Sequence, residues 1–330
     1  MKWTITLASL VALASLTGAA VVCVRLPLAK ASASEKGPSS CQDVDGDGYG
    51  LGCSAGADCN DHDARVHPGQ EEICNLRDDN CNGLVDDMPN CASPALNAAA
   101  VMVTESELLM GSPPNQGAPD EHPQHRVRVS GFSMDRYEVT NERYGRCVKA
   151  GVCLAPALLS SAKRRSYFGQ PEFAQYPVVF VDWERADKFC RWEGARLPTE
   201  AEWELAARGA APSQRTFPWG DTPPDCTKAN LGGDLSCLGD TDRVGRRSAG
   251  VSPWGVMDMA GNVWEWTADW YDSRYYAGSP ERDPKGPIHG SLKVMRGGCF
   301  MSNADSLRVS CRKPELPATW APNVGFRCVR

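Results

Sequence analysis

The pattern of apolar and polar residues predicts short strands in the C-terminal two thirds of the chain. Val127 and Val129 alternate with arginines, which is the period-two pattern of a strand with one buried face. Apolar residues also cluster at 101–103 and 108–111, and the continuous apolar run 177–181 predicts a buried strand. The larger folded region is therefore expected to begin near residue 101.

Helix-capping residues predict three short helices in the same region. Thr140 is placed to cap one helix, and Asp182 to cap a second that ends before Gly194. Thr199 and Glu202 have the spacing of a capping box, in which each side chain satisfies an amide at the start of a third helix.

The N-terminus has the order of a secretory signal. Met1-Lys2 precedes an apolar run from Trp3 to Val24, and Ala31-Ser32-Ala33 offers an A-x-A cleavage site. We expect a signal peptide at 1–33, followed by a linker at 34–40. The alternative is an uncleaved anchor that tethers the protein to a membrane, because about 20 apolar residues suffice to span a bilayer.

The cysteine count supports export. Without Cys23, fourteen of the fifteen cysteines remain, six between Cys41 and Cys91 and eight between Cys147 and Cys328. Even counts in two groups are typical of two disulfide-bonded units in an oxidising compartment, so a periplasmic, cell-surface or secreted location is expected. No Cys-x-x-Cys pair occurs, which argues against structural zinc.

The negative charge is concentrated in a module at 41–91. Twelve acidic and two basic residues give this module a net charge of −10, whereas the whole chain carries −6. An acidic chain of this kind is not expected to bind nucleic acid. An alanine-rich stretch at 92–100 is expected to link the module to the larger domain.

Two stretches of the acidic module have the alternating oxygen ligands of a calcium loop, without the glutamate at position 12. The expected ligands are Asp43, Asp45 and Asp47 in the first loop, and Asp78, Asn80, Asn82 and Asp86 in the second. Together with the intervening D-C-N-D, H-P-G and E-I-C-N segments, the module resembles the MopE-type metal-binding motif repeat. The resemblance implies metal binding, and oxygen ligands favour calcium.

Two alternatives for this module stay open. Copper could bind through His67 or a methionine, because softer metals prefer imidazole and sulfur. The acidic turns could instead stay solvated, with the module held by its disulfides alone.

Five motifs of the larger region resemble the formylglycine-generating enzyme (sulfatase-modifying factor) family in order and spacing. They are R-L-P-T-E-A-E-W-E at 196–204, F-P-W-G at 217–220, G-N-V-W-E-W at 261–266, R-G-G at 296–298 and G-F-R-C at 325–328. The resemblance covers 101–330. It implies a C-type-lectin-like α+β fold with little regular secondary structure, next to the small disulfide-rich metal-binding module.

The family resemblance also implies calcium sites. The first set consists of the side chains of Asp258 and Glu265 and the carbonyls of Gly261 and Val263. A second set comprises Asn230, the Leu231 carbonyl and Asp240, which lies in a shortened loop. Two carboxylates and two carbonyls suit a hard divalent ion. In the alternative interpretation, Glu265 is buried against Arg296 or another basic group.

The expected disulfides come partly from the family and partly from spacing. The resemblance implies a bridge between Cys190 and Cys328, and short separations favour local bridges. These are Cys147 with Cys153 and Cys226 with Cys237. The even count then favours a disulfide between the remaining Cys299 and Cys311.

The catalytic positions of the family are substituted. Family oxidases read R-G-G-S-F-x-C with a second cysteine five residues later, but this chain has Ser302 at the first position. Leu307 stands at the second, or Ser306 if a gap is placed. Neither residue can supply the thiolate of a copper(I) dithiolate or form a mixed disulfide with a substrate cysteine. Cys299 occupies the place of the family's active-site serine.

The expected function follows from this substitution and leaves the question of enzymatic activity open. The leading hypothesis is an exported calcium-binding protein, a pseudoenzyme whose groove binds a peptide or protein partner or serves assembly. The alternative is an active family oxidase that uses Cys299 and copper(I) to modify a protein cysteine.

Overall fold

The computed structural model describes residues 41–71, 78–81 and 100–330. The expected signal peptide, the first linker, nearly all of the second linker, and the ligands Asn82 and Asp86 lie outside these residues. None of the helices in the described ranges is long and apolar enough to span a bilayer.

The larger domain has an α+β fold with short elements, as the sequence predicts. Its strands and helices are β1 (Ala100–Val103), β2 (Ser106–Met110), β3 (His125–Val129), β4 (Phe132–Asp135), α1 (Asn141–Lys149), α2 (Trp183–Trp192), α3 (Glu200–Arg208), β5 (Trp264–Trp270), β6 (Lys293–Arg296), β7 (Lys313–Glu315) and β8 (Val324–Gly325).

The strands form two small antiparallel pairs and one larger sheet. β1 pairs with β4, and β2 with β3. The larger sheet has the order β7-β6-β5-β8, and only β8 runs parallel to its neighbour β5. This sheet brings the R-G-G and G-F-R-C motifs to opposite sides of β5.

The helix caps have the predicted geometry. The side chains of Thr140 and Asp182 each accept a hydrogen bond from the third helical residue, and Thr199 and Glu202 form a complete capping box. Each cap satisfies an amide that would otherwise lack a partner at the start of a short helix.

The run 177–181 is not a strand, so this prediction is wrong. The segment is buried, but Phe180 has φ of +59°, which breaks the extended backbone. Its amides also bond to two different segments, Val178 to the Val139 carbonyl and Phe180 to the Ala321 carbonyl. The apolar pattern therefore predicted the burial of this segment correctly, but such a pattern cannot distinguish a strand from an irregular buried segment.

Helix α3 is buried along its whole length, including its charged residues. Glu204 pairs with Arg208 on its own helix and with Arg296 at the end of β6. Glu200 pairs with Arg296 and Arg312. Buried charges are tolerated only when paired, so these contacts fix α3 against β6.

Disulfides hold the elements together. The larger domain contains Cys190–Cys328, Cys147–Cys153 and Cys226–Cys237, as predicted. In the small module, Cys41 bonds to Cys53 and Cys59 to Cys81. The Cys190–Cys328 bridge connects α2 to the C-terminus.

Replacing both Cys190 and Cys328 by alanine is expected to lower the free energy of unfolding by roughly 3–5 kcal/mol, because this bridge closes a long loop and restricts the unfolded chain. Equilibrium denaturation followed by tryptophan fluorescence measures the change. The matched control is the double alanine variant of Cys147 and Cys153, whose separation of 6 compares with 138 for the first pair. Its expected cost is smaller, about 2 kcal/mol. Equal losses would contradict the loop-closure explanation.

Candidate functional site

A glycine turn after β6 places Cys299 in the interior. Gly297 and Gly298 have φ of +93° and +75°. A Cβ on Gly298 would lie 2.9 Å from the Ser306 carbonyl oxygen, so both the backbone conformation and the space require glycine. The chain then turns inward, and Cys299 is 2% exposed.

Hydrogen-bond donors from three residues surround the Cys299 sulfur. Asn323 Nδ2 donates to Sγ at 3.3 Å and the Met301 amide at 3.4 Å. Ser302 Oγ lies 3.4 Å from Sγ and accepts a hydrogen bond from the Cys299 amide at 3.0 Å. Since the hydroxyl is already an acceptor, its proton is free to point at the sulfur. The thiol is held in a polar cradle formed by the turn and by the segment before β8.

The two family cysteine positions differ in their surroundings. Ser302 is half-buried beside Cys299, whereas Leu307 is fully buried and packs with Phe217 and Leu231. Ser306, the position reached with a gap, is half-buried and its hydroxyl donates to Asn303. A copper(I) dithiolate needs two thiolates, and neither position provides one.

The expected disulfide between Cys299 and Cys311 is wrong. Both residues are free thiols, the only two among the cysteines of the described residues. The Cys299 sulfur contacts the polar cradle, whereas Cys311 lies among charged groups that include Glu121 and Arg308. Burial, and then the charge of Glu121, raise the pKa of Cys311 to about 11. A disulfide requires both side chains to meet within a narrow range of geometry, which an even count of cysteines cannot reveal.

A cavity of about 280 Å³ adjoins this turn. The Gly232 amide donates to the Ser302 carbonyl at 2.9 Å and so joins the cavity's loop to the turn. Prolines, leucines and small residues supply most of the lining, with Asp234 and Asp305 as its carboxylates. Met301 is 53% exposed next to it. The surface beside Cys299 is therefore a groove that combines apolar and acidic groups.

The first expected calcium set is only partly assembled. Glu265 is 1% exposed, and Arg327 donates to both of its oxygens, at 2.6 and 2.7 Å. Trp203 Nε1 donates to the same carboxylate at 2.8 Å. Glu265 is thus buried against a basic group, which is Arg327 and not Arg296. Asp258 is half-buried and accepts a hydrogen bond from the Gly245 amide. Gly261 and Val263 flank Asn262 in the following turn.

Sequence reasoning missed Glu138, which is 1% exposed. Its Oε1 accepts a hydrogen bond from Asn262 Nδ2 at 2.9 Å, and its Oε2 is buried without a hydrogen-bond partner among the described residues. Burial, followed by the charge of Asp258, raises the pKa of Glu138 well above its ordinary value. The sequence feature that could have identified Glu138 is its position between Tyr137 and Val139, as a single glutamate in a buried stretch before the α1 cap.

The second expected calcium set is brought together only in part, because Asn230 Nδ2 donates to the Asp240 backbone carbonyl at 2.8 Å while the Asp240 carboxylate contacts another segment. Asn230 is 1% exposed, and its Oδ1 is buried without a partner in the described ranges. The Asp240 carboxylate instead accepts hydrogen bonds from Ser161 and Lys163 and pairs with Arg164. The Leu231 carbonyl accepts a hydrogen bond from the Cys237 amide. The Asp240 carboxylate therefore holds the 161–164 loop, whereas the Asp240 backbone carbonyl contacts Asn230.

In the small module, Asp43, Asp45 and Asp47 converge as predicted, with carboxylate oxygens within 4.8 Å of one another. Asp45 and Asp47 each have one buried oxygen without a partner in the described part of the chain. Asp58 also has such an oxygen, and its charge acts on Asp45. Asp78 and Asn80 of the second loop both have interaction partners.

Comparison with known proteins finds a family match for the larger domain and another for the small module. Residues 88–330 match the sulfatase-modifying factor enzyme 1-like domain, and residues 58–87 match the "Putative metal-binding motif" family. A formylglycine-generating enzyme of Streptomyces coelicolor is 35% identical over 72% of this chain and 90% of its own length. The inactive C-alpha-formylglycine-generating enzyme 2 of Bos taurus is 31% identical over 69% of this chain and 86% of its own length.

The solved structure of PvdO from Pseudomonas aeruginosa has a similar fold. Its TM-score is 0.57 at 25% sequence identity, covering 70% of this chain and 93% of that one.

Alkylation of the denatured, unreduced protein is expected to label Cys299 and Cys311 and to leave Cys190 and Cys328 unlabelled. Peptide mass mapping of the alkylated digest makes this measurement. The same digest after reduction provides the control, since all four residues should then be labelled. A disulfide-linked peptide pair containing Cys299 and Cys311 would contradict the structure.

Proposed function

Because the chain belongs to the family of sulfatase-modifying factor enzyme 1-like domains, we propose that it is an exported, calcium-stabilised protein that binds a peptide or protein without oxidising a cysteine. The observation that carries this proposal is the pair Ser302 and Leu307 at the positions of the family's cysteines. A fold shared with oxidases does not fix an activity, which depends on the groups in the site.

The surroundings of Leu307 argue against copper chemistry. Its side chain is fully buried in an apolar cluster, so this position contributes to packing and cannot contribute a ligand. Cys299 would be a lone thiolate, with hydroxyl and amide groups as its neighbours. Copper(I) prefers soft sulfur ligands, and one sulfur with oxygen and nitrogen neighbours is a poor site for it.

The groove beside the turn supports binding. Its cavity is lined by apolar residues with two carboxylates, and the exposed Met301 side chain extends the apolar surface. Pockets that combine apolar walls with a few polar groups are typical ligand sites. The Cys226–Cys237 bridge lies in the chain segment that forms one wall, so the groove is held in shape before a ligand arrives.

Orphaned buried oxygens support calcium binding. At the expected calcium sites and next to them, such oxygens occur on Glu138 and Asn230 in the larger domain, and on Asp45, Asp47 and Asp58 in the small module; Asn141 and Gln175 also carry one each. An unpartnered buried carboxylate costs free energy, which a hard cation with oxygen ligands would offset. The five disulfides among the described residues support an oxidising, exported location.

The polar cradle of Cys299 favours a second candidate function. A free, buried thiol surrounded by three donors is a possible nucleophile, so a copper-dependent protein-cysteine oxidase that uses Cys299 is the alternative. The alternative requires copper and oxygen as co-reactants, which makes it directly testable.

A fluorescently labelled peptide containing C-x-P-x-R is the probe for both candidates. We expect fluorescence anisotropy to show binding, and mass spectrometry to show an unchanged peptide after incubation with copper and oxygen. Replacing Ala304, on the exposed rim of the cavity, by tryptophan should fill the groove and weaken binding about tenfold, or about 1.4 kcal/mol.

The Cys299→Ser variant is the matched control, since it removes the thiol and keeps its size. It should bind the peptide as well as the wild-type protein does. Conversion of the peptide by the wild-type protein, lost in Cys299→Ser, would overturn the binding-module proposal and establish the oxidase.

Removal of calcium with a chelator is expected to lower the melting temperature. An ion that binds only the folded state at 100 times its Kd contributes about 2.7 kcal/mol, which corresponds to roughly 5–10 °C for a domain of this size. Differential scanning calorimetry measures the change, and restoration after adding back excess calcium is the control. An unchanged melting temperature would contradict calcium binding.

A further inference from the structure

A group of cations lies beside the groove, and one short stretch of chain joins the two. Leu235 lines the cavity, and three positions later the Leu238 carbonyl accepts a hydrogen bond from Lys163 Nζ at 2.7 Å. Three residues of extended chain span at most about 11 Å, so the Leu238 carbonyl and its Lys163 partner lie close to the end of the groove. The side chains of Leu235 and Leu238 are 51% and 45% exposed, which extends the apolar surface toward Lys163.

Five cations from two segments form this basic surface, which consists of the side chains of Lys163, Arg164, Arg165, Arg243 and Arg246. The Val244 amide donates to the Gln175 carbonyl at 3.0 Å, which holds the second segment next to Tyr176. All the arginines of the surface except Arg165 act electrostatically on the Tyr176 side chain. The guanidinium carbon of Arg164 lies 5.1 Å from the centre of the Tyr176 ring. The two segments therefore bring their cations to one aromatic residue.

The carboxylates that hold the arginines of the basic surface lie beneath it. Asp240 pairs with Arg164 at 3.1 Å, and the Asp240 side chain is 3% exposed. Asp242 pairs with Arg246 and more closely with the buried Arg247, and the Asp242 side chain is 4% exposed. Both carboxylates therefore face inward and leave the outer side of the cations to solvent.

Two cations of the basic surface have no carboxylate partner. Lys163 and Arg165 are exposed, and neither forms an ion pair within the described part of the chain. An exposed group of like charges creates a local potential that attracts partners of the opposite sign. The basic surface therefore fits an anionic partner.

The sign of the charge changes between the groove and the basic surface. The groove contains the carboxylates of Asp234 and Asp305, whereas the cations begin at Lys163. A complementary peptide would therefore be neutral or basic inside the groove and acidic where it leaves the groove toward Lys163. The exposed Leu235 and Leu238 between the two regions suit a polypeptide with apolar side chains better than a polysaccharide, which has none.

We infer that the partner of the groove is a peptide or protein segment whose acidic stretch lies on the basic surface, next to the part held in the groove. This inference rests on the peptide binding proposed above and adds the chemical class of the partner. Charge complementarity of this kind raises the association rate and selects among partners, and it weakens as salt screens exposed charges.

Extended forms of the labelled C-x-P-x-R peptide test this inference by fluorescence anisotropy with the full chain. Four glutamates are added at one end of the peptide or at the other, and matched peptides carry four serines in the same places. We expect glutamates at one of the two ends to tighten binding about tenfold relative to serines, because several exposed ion pairs each contribute modestly. The gain should disappear at about 1 M salt, where the Debye length falls to about 3 Å.

The Lys163→Gln/Arg165→Gln double variant is expected to lose about fivefold of the glutamate gain and to bind the serine peptides as the wild-type protein does. Both side chains are exposed, so the melting temperature should not change. The matched control is Arg126→Gln/Arg128→Gln, which removes two exposed charges from β3 and should keep the gain.

The outcomes separate this inference from the proposal on which it rests. A wild-type protein that binds neither the serine peptides nor the glutamate peptides would overturn both. Binding of the serine peptides without a gain from glutamates, or a gain that the Lys163→Gln/Arg165→Gln variant retains in full, would overturn only the acidic stretch. Heparin that binds the wild-type protein but not this variant, while glutamates give no gain, would assign the basic surface to a sulfated polysaccharide and overturn the inference.

Discussion

The burial of the Arg296 guanidinium among carboxylates is the interaction on which the candidate site depends. The side chain is 0% exposed and pairs with Glu200 and Glu204 of α3, and it also donates to the carbonyls of Val309 and Ser310. Removing one partner of such a buried pair typically costs 3–5 kcal/mol. The end of β6 is therefore fixed in position, and the glycine turn that follows directly determines where Cys299 lies.

This turn explains why the fold does not depend on cysteines at positions 302 and 307. The turn is built from the arginine, the glycines and the buried Leu307, none of which needs a thiol. Ser302 keeps a hydrogen bond within the turn, from the Cys299 amide. The turn therefore keeps its geometry in this chain and holds one buried free thiol, that of Cys299.

Neutralisation of buried carboxylates is the second constraint. Arginines satisfy Glu200, Glu204 and Glu265, whereas Glu138 has an oxygen without a partner in the described residues. The same charged residue type therefore has two different roles in one core. Carboxylates that accept hydrogen bonds from an arginine join two elements of the core, whereas the charge of Arg327 acts on Glu138 without satisfying its Oε2 atom.

The sequence by itself determined the family, the helix caps and the Cys190–Cys328 bridge, because these depend on local hydrogen bonds or on motifs whose order is visible in the chain. Only the tertiary structure decided that 177–181 is irregular, that Cys299 and Cys311 stay apart, and that Asp240 turns toward the 161–164 loop. The tertiary structure also showed that the Glu138 carboxylate is buried, although Glu138 belongs to none of the sequence motifs. The physical reason is common to all four. Which partner a buried thiol, amide or carboxylate meets depends on distances between segments far apart in sequence, and the pattern along the chain does not contain those distances.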